Sequence, residues 1–296
     1  MNALQRTEID RFLSSGNHDN LFEVWPGGTF VDRAGNGSAA LKDALISAVR
    51  KRAGHAVAPS YQEDADVDIF AREKFTPMVR GLFPQGEQSV ILDMLERSVV
   101  ILTPAAINTA IEKARWLSTA WKLANIYLAS LDAKPLTDSA PDIVGLSEET
   151  TCYVSMKYFS GNNPFEDYVV HEAAHIFHNC KRETIGLSAT RRREWLLEID
   201  YAKRETFAYS CEAYSRILEL GETRSARSRL LSELAEGPMP PDERVEGAEY
   251  VDILRDAVAA RNGWKRILER CSPSVDQFSI RINASNSLIG TGLLNR

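Results

Sequence analysis

The chain has 296 residues, 44% of them hydrophobic and 26% charged, and a formal net charge of −6. That is the make-up of an ordinary globular protein with length enough to bury a sizeable core. The acidic balance argues against a nucleic-acid or anionic-membrane binder, either of which needs a basic face.

At the N-terminus, MNALQRTEIDRFLSSGNHDN lacks an apolar core of signal-peptide length, and no stretch approaches about 18 uninterrupted apolar residues. The expectation is a cytoplasmic protein without a membrane span. Cys152, Cys180, Cys211 and Cys271 are scattered with no CxxC pair, which predicts reduced thiols packed as small apolar groups. Residues 1–37 read as a short helix followed by turn-rich chain, and Ser38 as the cap of a helix running to about Arg52. On this reading Gly35-Asn36-Gly37 is a plain turn, since it lacks the Lys-Ser/Thr of a phosphate loop. Residues 54–66 read as a linker, and 67–97 as two helices separated by FPQGE.

Thr103-Pro104 carries a helix-start signal. Apolar residues at 107, 110, 111, 114, 117, 121, 124, 128 and 131 then predict one long helix, the longest in the chain, with Trp121 and Leu128 in the core. In 150–159, TTCYVSMKYF, apolar and mixed positions alternate, which predicts a half-covered or edge strand. SGNN breaks it. Asn163-Pro164, with Glu166 three places after the cap, opens a further helix. Lys181, Arg182 and Arg191 to Arg193 read as a solvated basic loop. A helix over about 193–220 ends at Gly221; GPMPPDE is a linker, 246–270 a last helix, and the tail from Ser272 irregular.

The segment DYVVHEAAHIFHN, residues 167–179, places His171 and His175 four apart around Glu172, about two turns into that predicted helix. Four helical residues advance about 6 Å and turn about 40° past a full revolution, so both imidazoles leave one face and can aim at one ion. Zinc accepts imidazole nitrogen at about 2.0–2.1 Å in tetrahedral geometry. Glu172, about 100° round from His171, points toward the side where a reacting water would sit and can take its proton. An HExxH string arises by chance in such a chain with odds on the order of one in a hundred, so its setting on a well-marked helix after a strand carries the reading.

Two histidines leave zinc short of a ligand. His178 lies about 10 Å along the axis from His171, too far for one straight helix to bring all three to one ion, and reads as a residue that lines the cleft or hydrogen-bonds a ligand, or equally as a plain surface residue. The metzincin continuation is absent, with Lys181 where its third histidine would be. The remaining source is a carboxylate of the next helix, where Glu198, Glu205, Glu212 and Glu219 recur every seven residues. Glu198 and Glu219 read as a solvated face. Glu205 and Glu212 sit among Phe207, Ala208, Cys211 and Ala213, where a carboxylate needs a partner. Glu205 is the preferred third ligand, Glu212 the alternative, and Asp200 the outside option.

Strand, turn, HEAAH helix and a following helix bearing Glu205 resemble the zincin metallopeptidases in their gluzincin arrangement, over roughly residues 150–220. The chain departs from the best-known members in lacking their Asn-Glu-Ala lead-in to the ligand, and Tyr209 stands where their aspartate would follow. The resemblance implies an α+β, mostly helical fold: a small sheet with edge strand 150–159, the HExxH helix and the ligand-bearing helix. The chain as a whole is expected to divide into an N-terminal helical region of unknown role over 1–100, a zincin-like metal-binding core over 101–236 and a C-terminal helix and tail over 237–296; the resemblance itself does not reach the N-terminal half or the tail. It further implies a zinc-dependent peptidase acting on a polypeptide, with Zn2+ on His171, His175 and Glu205 and Glu172 as general base. Tyr209, Tyr214 and His178 are the candidate transition-state donors. Two other readings share these residues: a non-catalytic or regulatory protein that kept the fold, and a toxin-like protease with a single target.

Overall fold

The structure is a computed structural model and describes residues 1–54, 67–140, 143–160, 163–190 and 193–273. Among these, α-helices dominate and three short strands form one mixed sheet, the mostly helical α+β class expected. The chain divides into two compact units, Met1–Thr76 with Leu92–Ile176, and Pro77–Ile91 with Phe177–Arg296.

In the first unit, α1 (Ala3–Ser15) lies against α2 (Phe30–Ala53). The expected Ser38 cap is wrong. Thr29 and Asp32 form a reciprocal capping box, so α2 starts eight residues before Ser38 and takes Gly35-Asn36-Gly37 into its interior. Gly37 is there for contact, because a Cβ would lie 2.5 Å from Phe22 Cδ1 and 2.6 Å from Trp25 Cδ1, whereas Gly35 has nothing within 4 Å. Of the predicted linker 54–66, residues 55–66 lie outside the described residues. The expected helix pair is α3 (Val67–Leu82) and α4 (Gln85–Glu96), separated by Phe83 and Pro84.

The long helix expected from Thr103 is broken. After β1 (Val99–Ile101), α5 (Ile107–Lys113) and α6 (Leu117–Ser130) are separate, and α2, at 24 residues, is longer than either. The break is capped from both sides. Lys42 Nζ donates to the carbonyls of Glu112 (2.8 Å) and Ala114 (2.6 Å). The Glu148 carboxylate accepts the amides of Arg115 (2.8 Å) and Trp116 (3.2 Å), groups a helix start would otherwise leave orphaned. Trp121 and Leu128 are buried in the core as expected, and Trp121 Nε1 donates to the Leu13 carbonyl at 3.1 Å.

The expected edge strand 150–159 is shorter, and it is central. β2 (Gly145–Glu148) pairs antiparallel and β1 parallel with β3 (Thr151–Val154), giving the order β1-β3-β2. Cys152, Val154 and also Tyr153 are buried, so both faces are covered. Tyr153 has an apolar body with a polar tip, and it reads as mixed in sequence although it packs as core. Residues 156–160 turn into a 3-10 helix.

In the second unit, α8 (Arg204–Leu220) packs on α9 (Arg224–Glu236), α10 (Gly247–Ala259) and α11 (Gly263–Cys271). The expected helix 193–220 therefore begins eleven residues late but ends, as expected, before Gly221. Its predicted first turns are extended chain: the amides of Leu196 and Leu197 donate to the carbonyls of Cys180 (3.0 Å) and Phe177 (2.8 Å). The expected helix 246–270 is two helices, because Asn262 caps α11 by accepting the Lys265 amide at 3.2 Å. Nor is the basic loop solvated throughout. Arg182 is 4% exposed and grips Glu87 at 2.7 and 3.2 Å, with Arg193 on the same carboxylate at 3.3 Å. The Arg182 hydrogen bond holds the Glu87 carboxyl below its ordinary range. Arg191, Arg192 and the tail from residue 274 lie outside the described residues.

All four cysteines are buried, and burial pushes the Cys180 and Cys271 thiols up to about 11 and about 12. Among the described residues no helix is long and apolar enough to cross a membrane.

The two α2 glycines make a paired test. Gly35→Ala should stabilise by about 0.5–1 kcal/mol through helix propensity. Gly37→Ala should destabilise by about 1–3 kcal/mol through overpacking. Denaturant titration of both variants should give shifts of opposite sign; shifts of the same sign contradict the packing of Phe22 and Trp25 on Gly37.

Candidate metal centre

The HExxH segment lies in α7 (Tyr168–Asn179), which starts four residues later than Asn163-Pro164 suggested. Asn163 makes a turn of its own, accepting the Phe165 amide at 3.0 Å and donating to Glu166 at 2.9 Å. Asp167 is the residue that caps α7, its carboxylate accepting the Val170 amide at 3.3 Å. His171 thus stands in the first turn of the helix, not two turns inside. Asp167 has no exposure and is held by Lys74 Nζ at 2.8 Å and by the Tyr158 hydroxyl, which donates at 3.0 Å. A buried carboxylate with these partners fixes the helix end from which His171 and Glu172 project.

On α7 the two imidazoles face each other. His171 Nε2 and His175 Nε2 are 3.1 Å apart, with ring centroids 4.9 Å apart and planes at 66°. Two nitrogens each about 2.05 Å from a tetrahedral ion would be about 3.3 Å apart, so the pair has the bite that zinc requires. His171 is buried and His175 half-buried. Glu205, in the first turn of α8, offers a third possible ligand atom. One ligand atom from each of His171, His175 and Glu205 lies within 4.8 Å of the others. Two imidazoles and a carboxylate are a donor set that suits zinc.

That group could hold a metal ion. No protein-family model, no curated protein and no solved structure matches the chain, so this reading stands on the geometry itself.

The remaining candidates fall elsewhere. Glu212 is buried but is not a member of the group. Burial first, and the Glu212 charge second, push the neighbouring Tyr250 phenol well above its ordinary range. Asp200 caps a 3-10 turn by accepting the Ala202 amide at 2.9 Å, and Glu198, off the helix, accepts the amides of Glu194 and Trp195. His178 is buried rather than a surface residue, with Nδ1 3.2 Å from Asn179 Oδ1. Tyr214 packs edge-on against Trp264 at 4.9 Å, and its hydroxyl fills the space where a Gly263 Cβ would be. That leaves Tyr214 in the core of its unit.

Three residues that sequence reasoning missed act on this site. Asp167 carried a readable signal, since aspartate caps as well as asparagine, but Asn163-Pro164 was the stronger local pattern. Gly145 on β2 presses against the buried Glu172: a Cβ there would lie 2.9 Å from Glu172 Cγ and 3.1 Å from Oε1. Arg244 Nη2 lies 3.0 Å from Glu205 Oε1. Neither contact had any sequence signal, because each joins residues remote in the chain.

Asp167→Ala removes the cap together with the Lys74 and Tyr158 contacts, which should cost about 3 kcal/mol or more. Chemical denaturation measures it; a loss below about 1 kcal/mol would mean that the Lys74 contact adds nothing.

Proposed function

We propose that this chain is a zinc-dependent hydrolase of peptide bonds, of the gluzincin type, with the ion on His171, His175 and Glu205. The observation that carries the reading is the facing imidazole pair, 3.1 Å apart, with the Glu205 carboxylate in the same group. Glu172 supports it, because it follows His171 directly and is buried against the backbone of Gly145.

A zinc ion held there would supply a Lewis acid toward the scissile carbonyl. Glu172 is the general base. It takes the proton of the attacking water and passes it to the leaving amine nitrogen as the C–N bond breaks. Its low exposure strengthens that exchange by excluding competing water. The missing side chain at Gly145 leaves room for the carboxylate, so this glycine sets where the base can stand.

The substrate is an extended polypeptide. β3 is flanked on both sides and has no edge to offer, whereas among the described residues β2 is an outer strand and carries Gly145. A peptide laid along β2 would gain main-chain hydrogen bonds and run past Glu172. Tyr209, half-buried one turn after Glu205, is the candidate donor to the developing oxyanion.

Metal analysis of purified protein tests the site. Wild type should carry about one zinc per chain, and His171→Ala and Glu205→Ala should lose it; equal zinc in all three removes the proposal. Glu172→Gln should keep the metal and lower hydrolysis of an unfolded polypeptide by about 10²–10⁴-fold. Gly145→Ala should do the same more mildly, by displacing Glu172 without touching the ligands. Full turnover in Glu172→Gln would rule this residue out as the base. Metal without turnover in the wild type would favour a non-catalytic role.

A further inference from the structure

The chain between α9 and α10, residues 237–246, is built to present one side chain. Pro238, Pro240 and Pro241 restrict its backbone. Asp242 then closes a tight turn, its carboxylate accepting the Arg244 amide at 2.9 Å and its carbonyl the Val245 amide at 3.0 Å. Glu246 ends the segment by capping α10, accepting the amides of Ala248 (2.9 Å) and Glu249 (2.6 Å). Within this frame the Arg244 guanidinium is held in two-point contact by Asp242, Nε to Oδ1 at 2.8 Å and Nη2 to Oδ2 at 2.6 Å. The same Nη2 lies 3.0 Å from Glu205 Oε1.

We propose that Arg244 is a positioning residue for the metal ligand Glu205, with Asp242 as the counter-charge that aims the guanidinium. The inference rests on the zinc reading above and names what orients its third ligand. Asp242 matters for the sign of the effect. A lone guanidinium beside a ligand carboxylate would repel an incoming cation. Paired with Asp242, it is nearly neutral as a unit and presents an oriented N–H. That N–H holds Glu205 Oε1 in place within the group that could take the ion. Partners of this kind set the direction of a ligand and its affinity without touching the metal.

The experiment is a zinc titration of the full chain against a chromophoric chelator at one pH, with melting of the metal-free proteins alongside. The variants are His171→Ala, Arg244→Ala and Arg244→Lys. Arg244→Ala should weaken zinc binding by about 10–100-fold. Its metal-free melting should match wild type, because Arg244 is 62% exposed and such ion pairs add little to stability. Arg244→Lys should recover part of the affinity, since it keeps a donor but loses the two-point grip of Asp242. Unchanged affinity in Arg244→Ala, with His171→Ala unable to bind, would overturn the positioning role and leave the site standing. Tighter binding in Arg244→Ala would also overturn it, by making the arginine a competitor for the ligand. Wild type binding no better than His171→Ala would remove the site and this inference with it.

Discussion

The buried carboxylate of Asp167 is the constraint on which the site depends. A carboxylate with no exposure is tolerated only when its charge and lone pairs are matched, and Lys74, Tyr158 and the Val170 amide match them. Those partners come from three separate segments, so together they pin the first turn of α7. His171 and Glu172 stand in that turn. Helix geometry then carries the placement one turn on to His175, and the two ring nitrogens face each other without further support.

The acids around the motif differ in what surrounds them, and that sorts them by role. Asp167 is matched by Lys74 and serves the fold. Glu205 forms an ion pair with Arg244, whose guanidinium is also in two-point contact with Asp242. Glu172 is confined by shape, through the missing Cβ of Gly145. Glu212 is buried beside Tyr250, whose phenol burial and that charge keep protonated. Four carboxylates that look alike in sequence are separated by their contacts.

The helices show how capping overrides periodicity. The apolar stripe from Ile107 to Leu131 is real and its residues are largely buried, yet the backbone breaks at Ala114–Trp116. Lys42 and Glu148, 72 and 33 residues away from the groups they bind, satisfy the exposed carbonyls and amides on each side. Between 193 and 200 the apolar residues Leu196, Leu197 and Ile199 have near-helical spacing, but the amides of Leu196 and Leu197 pair with the chain that ends α7 and hold this stretch out of a helix. At Asn262-Gly263 the opposite holds. The local signal for a break was present in the residues themselves, and the tertiary contact between Gly263 and Tyr214 agrees with it.

By itself the sequence determined what depends on spacing within one helix: the pairing of His171 with His175, the place of Glu172 beside them, and the helical α+β class. It also narrowed the third donor to a short set of acids, because a carboxylate among apolar neighbours needs a partner. Tertiary structure alone decided that Glu205 is the acid with a ligand atom within 4.8 Å of one from each histidine, that β3 is the central strand, and that Gly145 and Arg244 touch Glu172 and Glu205. The physical reason is that helical period and capping propensity act over a few residues. Hydrogen bonds, ion pairs and close backbone contacts are indifferent to separation along the chain, and only folding says which remote groups meet.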